Sequence, residues 1–373
     1  MIFKLYFILV HQSLAGSLFS PLSEIVSISP YGTILIPTYG KRISNSEIFQ
    51  VQIKGRLSSP VTMEMLKNSI DASRTSTIPQ NDQNDSFQNL VLRTEFMKTN
   101  ALSSTSAAVR FLNADHDGRQ LGPVVVQSGQ DGIFQSNATI IPSNQDDRLL
   151  YQLDNVPVES YITLAEEEGF GVVSDIDDTI KITQVNSPIK ALQNTFLERF
   201  NTTPGMPEYY KQLEKALEMK TSQNRISKPT FHYLSASPTQ LVPVLQPFIE
   251  QNYPRGEIIT NSLSFGRGIM GISDFTNVKS FKLIETRAIL DFFPNRQFIM
   301  IGDSTQFDPE VYGQIAREFP NQVKCIMIRL VTGDNLEKEQ QLNSKKRFAD
   351  AFENVPLTKW TLFENPLKLD NCK

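Results

Sequence analysis

Carboxylates cluster directly after an apolar run of the chain, in the segment Ser174-Asp175-Ile176-Asp177-Asp178-Thr179. Unpaired carboxylates at such a place repel one another and are costly to desolvate, so a divalent cation is the natural way to hold them together. In an extended segment the alternate residues Asp175 and Asp177 point to the same side. Asp175 can then act as a nucleophile, and Asp177 can exchange a proton with a leaving oxygen. The spacing alone is also typical of an ordinary Asp-rich turn, which Asp178 would cap.

A second acidic cluster follows another apolar run, in the segment Gly302 to Asp308. Asp303 can complete the coordination of Mg²⁺, which prefers oxygen ligands, and Asp308 can position Asp303 or a metal-bound water. An Asx turn explains one such cluster well and two poorly. The predicted metal ligands are Asp175, Asp177, Asp303 and Asp308.

Groups that could bind a phosphate lie between the two acidic clusters. An apolar run ends at Ser235-Ala236-Ser237-Pro238, where hydroxyl and backbone N–H groups could hold phosphate oxygens. Lys282 lies in a segment with helical spacing and could neutralise charge on a phosphoryl group in transit. Taken singly, a serine before proline is usually a turn residue and a helix lysine is usually solvated. The predicted substrate-binding residues are Thr179, Ser235, Ser237 and Lys282.

The elements that must position these residues are short apolar runs, which fit strands buried on both faces. After about Glu166 they alternate with helical spacing, which predicts an α/β fold with a Rossmann-like, mostly parallel sheet. In such sheets ligands bind outside the carboxyl ends of the strands. The predicted strands are Phe170–Val173, Phe231–Leu234, Phe298–Ile301 and Cys325–Ile328.

From about Ile25 to Ile162 the sequence has a different pattern, in which short runs typical of β-strands are separated by polar turns. In Phe49 to Ile53 the alternation places three apolar side chains on one face, and several such strands predict a β-sandwich-like domain. The polar stretch Ser73 to Ser86 predicts a flexible loop. The predicted organisation is a signal or leader at 1–24, a β-sandwich-like domain at 25–165, a catalytic domain at 166–335 and a C-terminal extension at 336–373 that packs on the catalytic domain.

Composition bounds the partners and the compartment. The 373 residues carry a formal net charge of -4, so no overall basic field is available to hold nucleic acid. No apolar stretch approaches the roughly 20 residues that span a bilayer. Lys4, the apolar run Leu5 to Val10 and the small residue Ala15 fit a secretory signal, and equally a hydrophobic leader on a cytosolic chain. Cys325 and Cys372 are predicted not to form a disulfide.

The order of Asp-x-Asp-x-Thr, a strand ending in serine, a lysine and Gly-Asp-x-x-x-x-Asp resembles the haloacid-dehalogenase superfamily over about Gly169 to Val331. The resemblance implies a phosphatase in which the first Asp is phosphorylated and the second is the general acid and base. It also implies that the serine and the lysine bind phosphate and that the late Asp ligates Mg²⁺. In that order, the roles fall on Asp175, Asp177, Ser235, Lys282 and Asp303, with Asp308 in support.

A narrower resemblance is to the actin-patch phosphatidate phosphatases of fungi and their bacterial relatives. It implies Mg²⁺-dependent hydrolysis of phosphatidate to diacylglycerol, a role in lipid metabolism and a cytoplasmic or peripheral membrane location. Thr239, Phe281 and Arg56 depart from the family pattern, which bears on substrate range. The segments that carry the resemblance are Ser174–Thr179, Thr195–Phe196, Gly205–Tyr210, Tyr233–Pro238, Phe293–Pro294 and Ile301–Tyr312, with Ile36–Arg56 fitting the family's preceding domain.

Two other functions stay open on the sequence. One is a phosphatase of a soluble phosphomonoester or phosphoprotein, and the other is a non-catalytic scaffolding protein whose β domain recruits partners. Between Asp175 and Ser235 the insertion holds only a short helical segment, Pro188 to Met219, so no large cap domain is expected over the site. An open site of this kind suits a bulky or membrane-borne phosphomonoester. A functional signal peptide would direct the chain to the secretory pathway.

Overall fold

The computed structural model describes residues 33–366, apart from positions 45, 60–83, 98, 117–118, 121–122, 144–145, 155–157, 262–274 and 334. The predicted leader at 1–24 and most of the loop predicted at Ser73 to Ser86 lie outside these described residues. Within them, no helix combines the length and the apolar character that crossing a bilayer requires.

The N-terminal region is a ten-stranded sheet in which most neighbouring strands run antiparallel. The alternation predicted for Phe49 to Ile53 is present, because Phe49, Val51 and Ile53 are buried on one face. One helix, α1 (Asn84–Met97), interrupts the strands. The strands are β1 (Ile34–Ile36), β2 (Thr38–Arg42), β3 (Phe49–Arg56), β4 (Ser106–Phe111), β5 (Ala114–His116), β6 (Arg119–Gln120), β7 (Val124–Gln127), β8 (Ile133–Pro142), β9 (Arg148–Leu153) and β10 (Glu159–Ala165).

The order of this sheet is β6-β5-β8-β3-β2-β10-β9-β4-β7, with β1 paired to β3. Strands β2 and β10 form its parallel pair, with Ile162 opposite Thr38. The sandwich-like arrangement and the limits 25–165 stay predictions.

The C-terminal region is built on a six-stranded sheet in which every described pair of neighbours is parallel. This confirms the predicted α/β class with a parallel sheet. Its strands, together with a separate two-stranded hairpin (β12 and β13), are β11 (Gly169–Asp175), β12 (Met219–Lys220), β13 (Ile226–Ser227), β14 (Thr230–Pro238), β15 (Glu257–Asn261), β16 (Arg296–Asp303), β17 (Val323–Arg329) and β18 (Trp360–Phe363).

The order of the parallel sheet is β15-β14-β11-β16-β17-β18, so β11 and β16 lie at its centre. Helical connections between successive strands are what a parallel sheet requires, because each strand must return to the same edge. The helices are α2 (Pro188–Phe196), α3 (Met206–Ala216), α4 (Val242–Asn252), α5 (Phe275–Phe292), α6 (Asp308–Glu318), α7 (Leu336–Leu342) and α8 (Lys345–Ala351), with 3-10 turns at Thr239–Leu241 and Leu357–Lys359.

The central strands read as continuous apolar runs because helices cover both faces of the sheet. Alternate residues of β11 enter opposite cores: Val172 belongs to one buried cluster and Val173 to the other. Strand β16 divides in the same way, with Ile299 and Met300 on opposite sides. The carboxyl ends of these strands are therefore held rigidly at one edge of the sheet.

Residues beyond 335 also contribute to this sheet. Strand β18 pairs in parallel with β17, with Trp360 opposite Ile326. Helix α8 lies against α6 at Gly313, where an added Cβ would lie 2.1 Å from the carbonyl oxygen of Ala351. The limits 166–335 and 336–373 stay predictions.

The two regions share buried contacts. Ile34, Ile36 and Met97 of the N-terminal region lie in the same core cluster as Val172 of β11. Across the same boundary, the ammonium of Lys54 lies 2.7 Å from a carboxylate oxygen of Glu257, and both groups are mostly buried. The other oxygen of Glu257 lies 3.0 Å from Nδ1 of His232. Lys54 and Glu257 thus form an ion pair across the boundary, and His232 adds a hydrogen bond to the same carboxylate.

The expectation of no disulfide was wrong, because Cys325 of β17 is disulfide-bonded. The chain's other cysteine, Cys372, lies outside the described residues. The expectation rested on positions along the chain, which do not determine the distance between two sulfurs in the folded protein.

Candidate active site

The predicted site residues gather at the carboxyl edge of the parallel sheet. Strand β11 ends at Asp175, and its register places Asp175 opposite Leu234 of β14 and Ser174 opposite Ile301 of β16. The segments that follow these three strands therefore begin at the same level. This is the edge at which parallel α/β sheets bind ligands.

Three of the four predicted metal ligands come together there. Asp175, Asp303 and Asp308 are at most 1% exposed, and each offers a carboxylate oxygen within 4.8 Å of the others. Gly302 makes the approach of Asp308 feasible, because an added Cβ would lie 2.5 Å from the Asp308 Cβ. We call this set of three the carboxylate cluster. Asp177 lies outside it.

Lys282 and Thr179 contact the carboxylate cluster. The ammonium of Lys282 is buried and lies 2.6 Å from Asp175 Oδ1 and 2.5 Å from Asp308 Oδ1. The hydroxyl of Thr179 lies 3.2 Å from a carboxylate oxygen of Asp175 and the same distance from one of Asp303. Among the described residues, Lys282 is the cation that pairs with this cluster of three buried carboxylates, which leaves an excess of negative charge suited to a divalent ion.

Electrostatics at the cluster follow from burial. Desolvation raises the pKa of Asp175 well above its usual value, and the positive charge of Lys282 offsets this only in part. Desolvation, reinforced by the nearby Asp308, raises the pKa of Asp303 to about 7. Burial alone would lower the pKa of Lys282, but Asp175 and Asp308 outweigh it and raise that pKa. The carboxylates therefore resist ionising together until further positive charge is supplied.

Asp177 occupies a separate polar pocket. Its Oδ1 lies 2.9 Å from the ammonium of Lys181 and accepts a hydrogen bond from the Thr183 hydroxyl at 2.7 Å. Its Oδ2 accepts a hydrogen bond from Ser235 at 2.6 Å. Burial would raise the pKa of Asp177, but Lys181 and these hydrogen bonds together lower it to about 2. In the free protein Asp177 is an anion at neutral pH.

The two predicted phosphate-binding serines lie beside Asp177. Ser235 donates to the Asp177 carboxylate, and its hydroxyl oxygen accepts a hydrogen bond from the Ser237 backbone N at 2.9 Å. The Ser237 hydroxyl lies 3.5 Å from Asp177 Oδ2. A phosphate oxygen at this strand end would therefore share these donors with Asp177.

Asp178 supports the loop. Its backbone φ is 60°, and its carboxylate accepts hydrogen bonds from the backbone N–H groups of Thr183, Gln184 and Val185 at 2.7 to 2.8 Å. Asp178 therefore caps the turn that follows it, as one interpretation of the sequence predicts. Its carbonyl oxygen accepts a hydrogen bond from Arg329 at 2.6 Å, which joins the loop to the end of β17.

Lys181 was missed by sequence reasoning. It is 1% exposed and forms the ion pair with Asp177. A signal was present, since Lys181 stands between Ile180 and Ile182 in a run that otherwise indicates burial. A lysine is seldom buried without a partner, and an acidic partner was available four residues earlier.

Comparison with known proteins yields one family for the region that holds this site. Residues 170–330 match the family model described as "Phosphatidate phosphatase APP1, catalytic domain". Over 164 residues the chain is 34% identical to phosphatidate phosphatase APP1 of Saccharomyces cerevisiae, covering 43% of this chain and 26% of that protein. Over 252 residues it is 28% identical to an uncharacterized protein of Schizosaccharomyces pombe, covering 61% of this chain and 37% of the other.

Among solved structures, a carbohydrate esterase aligns with 86% of this chain and 97% of its own, at only 7% identity and a TM-score of 0.22. Residues 170–330, which hold the carboxylate cluster, are therefore similar to a phosphatase catalytic domain. More particularly, these residues are similar to the catalytic domain of phosphatidate phosphatase APP1. The chain spans 26% and 37% of the lengths of the two curated relatives.

Proposed function

We propose that this protein is a Mg²⁺-dependent phosphatidate phosphatase of the haloacid-dehalogenase type, which releases diacylglycerol and inorganic phosphate. The observation that carries the proposal is the buried Asp175 carboxylate, held 2.6 Å from Lys282 inside the carboxylate cluster. Asp177 supplies a second, independently held carboxylate two residues away. The family match of residues 170–330 supports the reaction class.

Mg²⁺ suits the donors that are present. The carboxylate cluster offers only oxygen atoms, which are the ligands Mg²⁺ prefers, and its members are buried with one cation among them. Asp175, Asp303 and Asp308 would hold the ion, with the Thr179 hydroxyl beside them. When bound, Mg²⁺ would neutralise charge on the phosphoryl oxygens.

The chain's own residues account for two chemical steps, phosphorylation of Asp175 and hydrolysis of the aspartyl phosphate. In the first, a carboxylate oxygen of Asp175 forms a bond to phosphorus, the ester P–O bond breaks, and the leaving oxygen takes a proton from Asp177. In the second, water gives a proton to Asp177 and attacks phosphorus, and the Asp175–phosphorus bond breaks to release inorganic phosphate. Lys282 holds Asp175 in place and faces the developing negative charge.

Asp177 must change its protonation state in this cycle. As an anion in the free protein it is ready to act as a base. To act as an acid it must first take up a proton, and the negative charge of a bound phosphomonoester favours that uptake by raising the pKa of a neighbouring carboxylate. Ser235 and Thr183 would keep the carboxylate in one orientation through both steps.

A membrane-borne substrate is supported by exposed apolar side chains on two segments that follow the carboxyl ends of the parallel strands. Ile189 near the start of α2 and Leu336 at the start of α7 are 63% and 77% exposed. Both follow the carboxyl ends of parallel strands, and the two segments meet where Lys338 donates to the carbonyl of Asn186 at 2.7 Å. We call Ile189 and Leu336 the rim pair. Exposed apolar residues beside a lysine suit the surface of an anionic bilayer.

A matched set of apolar residues lies at the other edge of the sheet. Ile226 and Leu357 are 61% and 80% exposed, and they precede the parallel strands β14 and β18. We call them the distal pair. They provide a control of similar exposure that lies away from the carboxyl edge.

The rival functions make different demands. A phosphatase of soluble phosphomonoesters or phosphoproteins would use the same cluster and would not need the rim pair. A scaffolding protein would not need a buried cluster of like charges, which is costly to fold and is retained where catalysis uses it. The family match and the rim pair therefore favour the lipid, with the peripheral membrane location that this implies.

The test is phosphate release from phosphatidate in mixed detergent micelles, with Mg²⁺ and with a chelator. We expect release that requires Mg²⁺ and is abolished in both Asp175→Asn and Asp177→Asn, each folded as judged by circular dichroism. Full activity of Asp175→Asn would refute the mechanism. Activity on soluble phosphomonoesters without any on phosphatidate would retain the mechanism and refute the lipid substrate.

A further inference from the structure

Two buried cations share the ring of Phe200. The guanidinium carbon of Arg93 lies 4.1 Å from the ring centroid, and the ammonium nitrogen of Lys181 lies 5.0 Å from it. Arg93 belongs to α1 of the N-terminal region and Lys181 to the loop after β11, and both are at least 95% buried. Two like charges are costly to bury together, and the electron-rich face of an aromatic ring is one of the few groups that attracts both.

The lysine end of this arrangement reaches the site. Lys181 lies 2.9 Å from Asp177 Oδ1 and also contacts the Thr183 hydroxyl, which donates to the same oxygen. With Ser235 on the other oxygen, the carboxylate is held from both sides. The position of the Lys181 ammonium therefore helps to set the position of the proposed acid and base.

The arginine end is anchored by the N-terminal region. Nη1 of Arg93 donates to the carbonyl oxygens of Thr195 and Glu198, each at 2.9 Å, at the carboxyl end of α2. From there the chain runs directly into Phe200. Helix α1 also donates through Asn89 to the carbonyl of Leu197 at 3.0 Å.

Backbone hydrogen bonds tie the Phe200 segment to the catalytic loop. The N–H of Ile182 donates to the carbonyl of Asn201 at 2.9 Å, and the N–H of Thr203 donates to the carbonyl of Ile180 at 3.0 Å. The segment around Phe200 and the loop that carries Lys181 therefore form one unit. A displacement of α1 would be transmitted to that unit.

We propose that Arg93, Phe200 and Lys181, here called the cation–ring stack, let the N-terminal region position the Asp177 carboxylate for proton transfer. Arg93 and Lys181 are positioning residues in this scheme, because both would affect the reaction through the Asp177 carboxylate, Lys181 by its ion pair with Oδ1 and Arg93 through Phe200. The inference rests on the proposed function and gives the N-terminal region a role in the reaction. Its signature is the dependence of the rate on the leaving group, since proton donation matters most when the leaving oxygen is a poor anion.

The experiment measures single-turnover phosphorylation rates on a series of soluble substituted phenyl phosphates, from para-nitrophenyl phosphate to phenyl phosphate. We expect Lys181→Met to lose about 100-fold on phenyl phosphate and less than about threefold on para-nitrophenyl phosphate, whose anion leaves without a proton. Arg93→Met should show the same pattern with a loss of about tenfold on phenyl phosphate. Arg93→Lys, which retains a cation for the ring, should fall between Arg93→Met and the unaltered protein.

The control is Lys324→Met, which removes a lysine lying 5.5 Å from the centroid of the Phe170 ring near the amino ends of the strands. It should leave the whole series unchanged. Thermal unfolding followed by circular dichroism identifies a variant that fails to fold. If Lys181→Met fails to fold, Arg93→Met provides the test in its place. An equal loss on every ester, or no loss, would overturn the proposal.

The outcomes separate this inference from the proposed function. An unaltered protein that cleaves phenyl phosphates but not phosphatidate would refute the lipid substrate, while the leaving-group series still tests the stack. An unaltered protein with no phosphatase activity would refute the proposed function and this inference together.

Discussion

Removing the charge of Lys282 should strongly lower the stability of the folded protein. Its ammonium lies 2.6 Å from Asp175 and 2.5 Å from Asp308, and all three side chains are at most 1% exposed. Lys282→Met keeps much of the volume and removes the charge, which leaves two buried carboxylates without their cation. Breaking a buried pair in this way costs about 3–5 kcal/mol, so we expect a loss of that size in the free energy of unfolding of the metal-free protein.

Protons and metal ions should both reduce this loss. Protonation neutralises the stranded carboxylates, so the deficit should be larger at pH 8 than at pH 5. Mg²⁺ bound only by the folded state adds about 2.7 kcal/mol at a concentration 100 times its dissociation constant. We expect added MgCl₂ to recover part of the stability of Lys282→Met, because the ion supplies the missing positive charge.

The assay is urea unfolding followed by circular dichroism at pH 5 and pH 8, with a chelator and with MgCl₂. The matched control is Arg287→Met, whose ion pair with Glu318 is about one-third exposed on each side and should contribute less than about 1 kcal/mol. A loss for Lys282→Met no larger than that of the control would refute this account of the cluster. So would a loss that is unaffected by both pH and Mg²⁺.

Three further predictions follow from the structure. Replacing the rim pair by serine should lower hydrolysis of phosphatidate in anionic vesicles by at least about tenfold, because burying even one such side chain contributes about 1.5–3 kcal/mol and about 1.4 kcal/mol is a factor of ten, while monomeric short-chain phosphatidate is cleaved as before. Serines at the distal pair should change neither rate, and an equal loss there would contradict a docking role for the rim. Burial opposes ionisation of Glu257, but Lys54 and His232 outweigh it and lower its pKa from 4.5 to about 2. The resulting stability, roughly 3 kcal/mol, is present above pH 4.5 and is lost as the pH falls towards 2. Urea unfolding across that range should therefore show a weaker acid dependence for Glu257→Gln than for the unaltered protein, and equal slopes would contradict the pairing. Asp303→Asn should abolish Mg²⁺ binding measured by titration calorimetry while the circular dichroism spectrum is retained, and unchanged affinity would remove Asp303 from the metal site.

The central strands could be predicted because strands that are buried on both faces consist mostly of apolar residues. The runs predicted at Phe231–Leu234, Phe298–Ile301 and Cys325–Ile328 lie within β14, β16 and β17. The sheet's two edge strands, β15 and β18, were not predicted. Their positions follow from which strand they pair with, and such long-range pairing leaves little trace in a local pattern.

The site could be predicted in its residue types and only partly in its contacts. Asp175, Asp303, Asp308, Lys282 and Thr179 were chosen for their chemistry and their places at strand ends, and the structure brings all five together. Alternation along an extended segment predicts that Asp175 and Asp177 point to the same side, with Asp177 as acid and base, and Asp177 is also among the predicted metal ligands. The loop instead turns its side chain towards Lys181 and Ser235.

The sequence by itself determined the α/β class of the C-terminal region, the carboxylates at its strand ends and the chemistry that those residue types allow. These features depend on local composition and on the rule that parallel strands end at a common edge. Only the tertiary structure decided which carboxylates share one cluster, which cation each of them faces, and that Arg93 reaches the catalytic loop through Phe200. Those relations join residues from separate segments, and distances between such residues are set by packing of the whole chain rather than by any stretch of it.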